Sequence, residues 1–255
     1  MTTPIQTYCL VVEYDGTNYF GWQIQKNRQK TIQEALQTAI QKVTGKKVSV
    51  IGSGRTDTGV HALGQVAHFQ SDTTLSPEKL LPAINHYLPS EIAIQKLMRV
   101  SEDFHARFQA KRKLYRYQIW NHPIYSPLSC QHTTWIRSKL NLERIQEASS
   151  FLVGTHDFSA FASKKDPEKS GVRTLYRADW SKVGERLIFD IEGSGFLYNM
   201  VRVIIGTLVD VGFEKKTPQK FKEILDSCSR SEAGTTAPPE GLCLVSVHYE
   251  GFEDL

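Results

Sequence analysis

The stretch GSGRTDTGVHALGQVAHF, residues 52–69, sets one aspartate, Asp57, in a glycine-rich turn between two apolar runs. VSVI, residues 48–51, precedes the turn and VAHF, residues 66–69, closes the stretch, so a strand is predicted on each side. Arg55 stands two residues before the aspartate. The pattern predicts a strand–turn–strand unit that presents a carboxylate.

Strand and helix patterns alternate outward from this turn. Thr31 with Glu34 forms a capping box that starts a helix, and Gly45 ends it. Further helix starts are predicted at Ser76-Pro77, Asn141 and Thr217-Pro218, and further strands at residues 7–14, 113–120, 186–193 and 241–249. The alternation predicts an α/β or α+β fold with a mixed sheet. The charged segment SKKDPEKSGVR, residues 163–173, is predicted to be a mobile basic loop.

Composition narrows the class of protein. The chain has 255 residues, of which 40% are hydrophobic and 23% charged, as in soluble globular proteins. Its net charge of +4 permits a polyanionic partner. No apolar run resembles a signal peptide or a membrane span, and the four cysteines are far apart. We therefore expect a cytoplasmic protein with reduced thiols and, since the histidines show no ligand spacing, no metal.

Asp57 itself allows two interpretations. An aspartate between threonines can bond its own backbone and serve only to form the turn. Alternatively, the nearby Arg55 keeps the carboxylate ionised and oriented, and an ionised aspartate can act as a nucleophile or a base. A phosphate-binding turn is disfavoured because no GK[ST] follows the glycines and Asp57 would repel phosphate.

Arg202 is a second candidate residue, because it lies inside the apolar run MVRVII of a helix predicted to begin at Phe196. A long arginine can extend its charge to solvent from such a position. A guanidinium in a core needs an anionic partner instead, for which Asp57 is a candidate. Tyr198, four residues before the arginine, is predicted on the same helix face.

The segment FHARFQAKRKLYRYQIW, residues 104–120, alternates basic and aromatic side chains. Aromatic rings that stack on bases, beside cations that hold phosphates, are the means by which proteins bind single-stranded nucleic acid. The same composition also suits an amphipathic strand with a solvated basic face. The segment alone does not decide between the two.

Five motifs occur in an order that resembles the tRNA pseudouridine synthase A family. They are YDGTNYFGWQIQ at 14–25, GSGRTDTGVHA at 52–62, FHARF with KLYRY at 104–117, GSGFLYNMVRVIIGTLVDVG at 193–212 and APPEGLCLVSVHY at 237–249. The resemblance covers nearly the whole chain. The RTDxGVHA wording is specific among pseudouridine synthases.

The resemblance implies isomerisation of uridine to pseudouridine in the anticodon stem-loop of tRNA, at nucleotides thirty-eight to forty, without a cofactor. Asp57 matches the catalytic aspartate, which could attack C6 of the base, attack C1′, or take a ribose proton in a glycal route. Tyr115 matches the tyrosine that stacks on the target base and lies near its C5 proton. Arg202 matches the arginine that pairs with the aspartate, and Leu197 should line the base pocket. Arg55 should fill the space that the flipped nucleotide leaves, or hold the backbone beside it.

The resemblance also implies an architecture and partners. The fold would be two duplicated α/β halves, residues 1–110 and 111–255, that meet at a mixed, mainly antiparallel sheet with a basic cleft between them. A homodimer would bind tRNA, with contacts predicted at Phe104, His105, Ala106, Arg107, Phe108, Arg173 and Thr174. The rival hypothesis is an RNA-binding protein without catalysis. A hydrolase with an aspartyl nucleophile is disfavoured by the lack of a metal or phosphate motif.

Overall fold

A computed structural model describes residues 4–26, 29–163 and 170–252. By density of contacts the chain divides into two compact units, Met1–Lys111 with Cys243–Leu255, and Arg112–Leu242. The sequence-based division assigned 243–255 to the second half, whereas these residues here group with the first unit. Most of the predicted basic loop, residues 164–169, lies outside the described ranges. Within those ranges, no helix combines the length and the apolarity that crossing a bilayer would need.

The described residues form ten strands and five α-helices, as the sequence pattern predicted for an α/β protein. The strands are β1 (Gln6–Tyr14), β2 (Ile51–Gly52), β3 (His61–Ser71), β4 (Ile92–Val100), β5 (Ala110–Asn121), β6 (Thr134–Ile136), β7 (Gly154–Asp157), β8 (Val172–Val183), β9 (Arg186–Gly193) and β10 (Leu242–Tyr249). The helices are α1 (Ile32–Thr44), α2 (Pro77–Tyr87), α3 (Leu142–Ser150), α4 (Met200–Gly212) and α5 (Pro218–Ser227).

The strands of each unit form mainly antiparallel arrays, which confirms the predicted mixed sheet. In the first unit the order is β4-β1-β3-β10, with β10 parallel to β3 and the other pairs antiparallel. In the second unit the order β5-β9-β8-β7 is antiparallel throughout, and β6 joins β5 in parallel. Each array is covered by helices whose apolar residues are buried, such as Leu36 and Leu80 in the first unit and Ile145 and Ile204 in the second.

The helix starts predicted at Thr31, Ser76, Asn141 and Thr217 and the stop predicted at Gly45 are confirmed. The Thr31 side chain accepts a hydrogen bond from the Glu34 amide at 3.3 Å, and Gly45 ends α1 with a left-handed φ of 74°. Asn141 caps α3, and Thr217 caps α5 just before a proline in the first turn. Local capping chemistry therefore sets these boundaries.

The strand predicted before the Asp57 turn is largely wrong. Only Ile51 and Gly52 pair with β3, and the three residues before them are irregular. Two glutamines of α1 take the place of a neighbouring strand. Gln37 Oε1 accepts from the Val50 amide at 3.0 Å, and Gln33 Nε2 donates to the Val50 carbonyl at 2.7 Å. The backbone of Val50 is thus satisfied by side chains, so it needs no sheet partner.

The helix predicted to begin at Phe196 begins four residues later, at Met200. Asn199 has φ 59°, a left-handed conformation that asparagine tolerates better than most residues and that no helix continues through. Tyr198 therefore precedes the helix, and its predicted place on the Arg202 face is wrong. Residues 194–199, which follow Gly193 at the end of β9, instead form a loop between β9 and α4 that we call the GSG loop.

A segment that we call the strap, residues 233–241, packs against α4 through two glycines. A Cβ built on Gly206 would lie 1.7 Å from the Thr235 carbonyl oxygen, and one on Gly234 would lie 2.8 Å from the Gly206 backbone. The Gly234 amide donates to Thr207 Oγ1 at 2.9 Å. The strap and the helix are therefore in backbone-to-backbone contact, which a side chain at either glycine would prevent.

Gly206→Ala should destabilise the protein even though alanine has the higher helix propensity. Propensity favours alanine by about 1 kcal/mol, whereas overpacking against an immobile backbone costs about 1–3 kcal/mol or more. The 1.7 Å approach puts this cost at the upper end of the range, so we expect a net loss of about 2 kcal/mol in the free energy of unfolding, measured by chemical denaturation. Gly212→Ala in the same helix is the control, because the nearest atoms to its Cβ would belong to the side chains of Ile145 and Leu140 and not to backbone. Equal stability of the two variants would refute the backbone contact.

Candidate active site

The Asp57 turn is a tight turn in the first unit. The Val60 amide donates to the Asp57 carbonyl at 3.1 Å, and Gly59, the third residue, has φ 77°. A positive φ at the third position is what a type II turn requires, and glycine supplies it without strain. Asp57 is partly buried and its neighbour Thr56 is buried. The turn therefore holds the carboxylate at the border between core and solvent.

The loop of residues 15–22 clamps this turn backbone to backbone. The Trp22 amide donates to the Thr56 carbonyl at 3.1 Å, and the Gly59 amide donates to the Tyr19 carbonyl at 3.2 Å. Gly21 allows the close approach, because a Cβ there would lie 2.5 Å from the Thr56 oxygen. The chain on both sides of Asp57 is thus fixed by hydrogen bonds to the same loop.

Buried side chains support the turn from below. Thr56 Oγ1 and the Tyr14 hydroxyl lie 2.8 Å apart, and burial raises the pKa of Tyr14 well above its ordinary value. The Tyr14 hydroxyl therefore stays protonated. Ser53 Oγ donates to Gln65 Oε1 at 2.7 Å, and Gln65 Nε2 donates to the Gly54 carbonyl at 3.1 Å. Side chains of strands β1 and β3 thereby hold the Asp57 turn in place.

Arg55 is exposed, and its Nε donates to Gln23 Oε1 at 3.2 Å. Gln23 follows the clamping loop directly, so the loop that fixes the backbone of the turn also supplies the contact to its arginine. The hydrogen bond uses one N–H of the guanidinium, which has five. The remaining four, on Nη1 and Nη2, suit a phosphate or a base edge.

The GSG loop brings together the candidate residues of the second unit. Tyr115 on β5 is 9% exposed, and its ring and that of Phe196 form a T-shaped pair with the ring centroids 5.1 Å apart. Leu197 is the next residue of the loop and is partly buried. Its carbonyl accepts from the Met200 amide at 3.1 Å, which joins the loop to the first turn of α4. The GSG loop therefore carries Leu197 and packs against Tyr115.

Arg202 is held between the GSG loop and the strap. Its Nε donates to the Ala237 carbonyl at 2.7 Å, and its Nη1 donates to Asn199 Oδ1 at 3.4 Å. The Ala237 amide in turn donates to the Arg202 carbonyl at 3.0 Å. Orientation of this guanidinium therefore depends on the strap as well as on the helix. The predicted pairing of Arg202 with Asp57 stays a prediction.

Arg173 and Thr174, on β8, lie against the start of the GSG loop. The Ser194 amide donates to the Thr174 carbonyl at 2.9 Å, and Ser194 Oγ accepts from the Thr174 amide at 3.2 Å. A Cβ on Gly195 would lie 3.7 Å from Arg173 Nε. Strand β8 therefore adds a cation and a hydroxyl beside the loop that carries Leu197.

The FHARF segment of the first unit divides into a buried and an exposed side. Phe104 and Ala106 are buried, whereas Arg107 and Phe108 are exposed, Phe108 to 77%. The His105 and Phe108 rings stack with centroids 4.2 Å apart, and the Arg107 guanidinium lies 5.8 Å from the Phe108 ring centroid. The segment therefore presents an aromatic stack and a cation to solvent.

Two buried contacts fix this segment in place. The Tyr249 hydroxyl donates to the Ala106 carbonyl at 2.5 Å, and His68 Nδ1 accepts from the Ala106 amide at 3.2 Å. Burial, with a smaller contribution from His105, lowers the pKa of His68 to about 4. His68 is therefore neutral near pH 7, and a neutral ring nitrogen can accept this hydrogen bond.

The structure adds residues that sequence reasoning did not single out. The first motif, YDGTNYFGWQIQ, contributes the clamp and the Gln23 contact, and the last motif contributes the strap carbonyl that holds Arg202. The glycines of these motifs were the signal that the sequence offered, because glycine often marks a place where two backbone segments approach closely. Which backbone each glycine would meet is a tertiary fact that one sequence does not state.

Comparison with known proteins gives one consistent result. The family model described as tRNA pseudouridine synthase matches residues 10–109 and 148–250. A tRNA pseudouridine synthase A from Thermoanaerobacter sp. is 48% identical over 240 residues, covering 94% of this chain and 98% of that protein. Proteins of the same name from Acetivibrio thermocellus and Brevibacillus brevis are 47% and 42% identical, again over 94% of this chain and 98% of theirs. The chain belongs to the tRNA pseudouridine synthase A family.

Proposed function

We propose that this protein isomerises uridine to pseudouridine in the anticodon stem-loop of tRNA. Family membership supports the reaction, and one structural observation carries the assignment of the site. Asp57 lies in a turn whose backbone is clamped on both sides by the loop of residues 15–22. Binding RNA through phosphates does not require a carboxylate held in this way, because a negative charge repels phosphate.

The reaction breaks the bond between N1 and C1′ and forms a bond between C5 and C1′. The proton on C5 is lost and N1 gains one, so atoms and electrons balance without an oxidant, a reductant or a group donor. Asp57 is the proposed nucleophile or base, and its three possible points of attack stay open. A paired uridine must first leave its stack, which costs a few kcal/mol.

The remaining site residues have proposed roles that follow from their chemistry. Tyr115 would stack on the uracil and place its hydroxyl near the C5 proton. Leu197 would line the base pocket, and Arg202 would pair with the Asp57 carboxylate and keep it ionised. Arg55 would hold the backbone beside the flipped nucleotide or fill the space that the base leaves.

The proposed tRNA contacts rest on exposed cations and rings. Arg107 and the stacked His105 and Phe108 flank Ala106, whose backbone amide and carbonyl are hydrogen-bonded to His68 and Tyr249. A backbone fixed in this way loses less entropy on binding RNA. Arg173 and Thr174 supply a second group of contacts. The homodimer and the cytoplasmic location stay predictions, and light scattering tests the first of them.

The purified protein should release tritium to water from tRNA whose uridines carry tritium at C5, because that proton leaves in the reaction. Release should stop when the three anticodon-arm uridines at nucleotides thirty-eight to forty are replaced by cytidine. Replacement of uridines elsewhere in the tRNA is the control and should leave release unchanged. A protein that binds the tRNA but releases no tritium would support the rival hypothesis of RNA binding without catalysis.

Two variants are expected to fail in opposite ways. Tyr115→Phe keeps the ring but lacks the hydroxyl, so tRNA affinity should be unchanged while the single-turnover rate falls at least about tenfold.

Arg107→Ala loses a phosphate contact, so the Michaelis constant should rise while the single-turnover rate at saturating enzyme is retained. The slope of log affinity against log salt should also decrease by about one unit for this variant.

Arg144→Ala removes a partly buried arginine on α3 that is outside the predicted tRNA contacts, and it is the control for net charge. An unchanged salt slope in Arg107→Ala would place that residue outside the RNA interface. A wild-type rate in Tyr115→Phe would confine Tyr115 to packing.

A further inference from the structure

A chain of three side-chain hydrogen bonds connects the buried backbone of Val50 to the exposed Arg55. Gln33 Nε2 donates to the Val50 carbonyl at 2.7 Å. Gln23 Nε2 donates to Gln33 Oε1 at 2.6 Å, and Arg55 Nε donates to Gln23 Oε1 at 3.2 Å. We call this chain the amide relay. All of its residues belong to the first unit, and it extends from the buried Val50 carbonyl to the exposed Arg55.

The orientation of both amides in the relay is determined from its two ends. The Val50 carbonyl can only accept, so Gln33 must turn its NH2 group toward it and its oxygen toward Gln23. The Ile24 amide also donates to that oxygen, at 2.9 Å, which supports the same orientation. Gln23 must then donate through its NH2 group, which leaves its oxygen for Arg55, a group that can only donate. No other arrangement of the two amides satisfies every contact.

Burial gives the relay a rigid base. Gln33 is 8% exposed, and its backbone N–H donates to the Trp22 carbonyl at 3.0 Å. Gln23 is partly buried and Arg55 is exposed. An exposed arginine ordinarily samples many rotamers, and ordering it on binding costs free energy. An acceptor fixed to the core reduces that cost before the substrate arrives.

We propose that Gln23 is a positioning residue for the reaction, which holds the Arg55 guanidinium in the orientation that engages the flipped nucleotide. The proposal rests on the proposed function, because Arg55 acts there on the RNA. Gln23 touches neither the substrate nor the reacting atoms in this account. Gln23 links Arg55 to the buried Gln33 and so fixes the guanidinium in place. Nη1 and Nη2 of Arg55 are then available to bind the RNA.

The test uses the full chain and two substitutions at Gln23. Gln23→Met has similar length but no polar group, so Arg55 loses its partner and Gln33 loses its donor. Gln23→Glu keeps an acceptor for Arg55 but no longer donates to Gln33, so the acceptor is detached from the core. Gln25→Met is the matched control, since Gln25 is an exposed glutamine two residues further along the chain whose side-chain Nε2 donates to the Phe20 carbonyl at 3.0 Å.

Gln23→Met should lower the single-turnover rate of pseudouridine formation about tenfold, equivalent to about 1.4 kcal/mol. Affinity for tRNA should change less than about twofold, because most of the proposed tRNA contacts lie at other residues. Gln23→Glu should fall between wild type and Gln23→Met, and Gln25→Met should match wild type. In an Arg55→Met background Gln23→Met should cause no further loss, because both substitutions interrupt one relay. An equal loss in both backgrounds, or no loss in either, overturns the proposal.

An activity-independent measurement separates this proposal from the proposed function. The NMR signal of the Arg55 Nε–H, assigned by its loss in Arg55→Met, should show order near that of rigid backbone in the wild type. In Gln23→Met the order parameter should fall below about 0.6, the range of flexible groups. If the wild type makes no pseudouridine, the proposed function fails, and this signal still tests the relay. A flexible Arg55 Nε–H in the wild type, or an unchanged one in Gln23→Met, overturns it.

Discussion

The backbone contact between the loop of residues 15–22 and the Asp57 turn is the constraint on which the first unit's site depends. Gly21 allows two peptide chains to approach within the distance that a Cβ would occupy. The approach brings two main-chain hydrogen bonds, one on each side of Asp57. These bonds fix the backbone that carries the Asp57 side chain. The same loop then continues into Gln23, so one segment fixes both the aspartate and the arginine near it.

The second unit applies the same principle with different elements. The GSG loop meets Tyr115 through Phe196, Thr174 through Ser194, and Arg202 through Asn199. The strap holds Arg202 from the other side, and its approach depends on Gly206. Close glycine contacts thus position functional side chains in both units. Such contacts are rigid because main-chain atoms, unlike side-chain ends, cannot move aside individually.

Sequence patterns predicted those features that are local. Thr31, Asn141 and Thr217 were identified as caps because capping depends on residues three positions apart. The predictions of strand and helix failed where contacts with residues distant in sequence, and not the local pattern, determined the backbone conformation. Val50 lies in an apolar run typical of a strand, yet glutamines from α1 satisfy its backbone. Phe196 and its neighbours have helical composition, yet Asn199 adopts a left-handed conformation and joins a loop.

The same distinction between local and distant interactions separates the residues of the candidate site that the sequence identified from those that it did not. Asp57, Tyr115 and Arg202 were identified from motif wording, and the structure places the latter two around one loop of the second unit. The supports could not be identified, because the hydrogen bond between Gln23 and Arg55 joins residues thirty-two positions apart. Glutamine is common at solvated positions, so its presence in GWQIQ gives no sign of a relay. Packing, and not composition, determines these contacts.

The central claim is that the Asp57 turn exists to present a reacting carboxylate, and Asp57→Asn tests it most directly. Asparagine retains the size and turn chemistry of aspartate but lacks its charge. Single-turnover assays with enzyme in excess should detect no pseudouridine, while tRNA affinity is unchanged or slightly higher and the free energy of unfolding stays within about 0.5 kcal/mol of wild type. A well-folded Asp57→Asn protein that still makes pseudouridine would contradict the account, as would a variant whose activity falls only in proportion to its unfolded fraction.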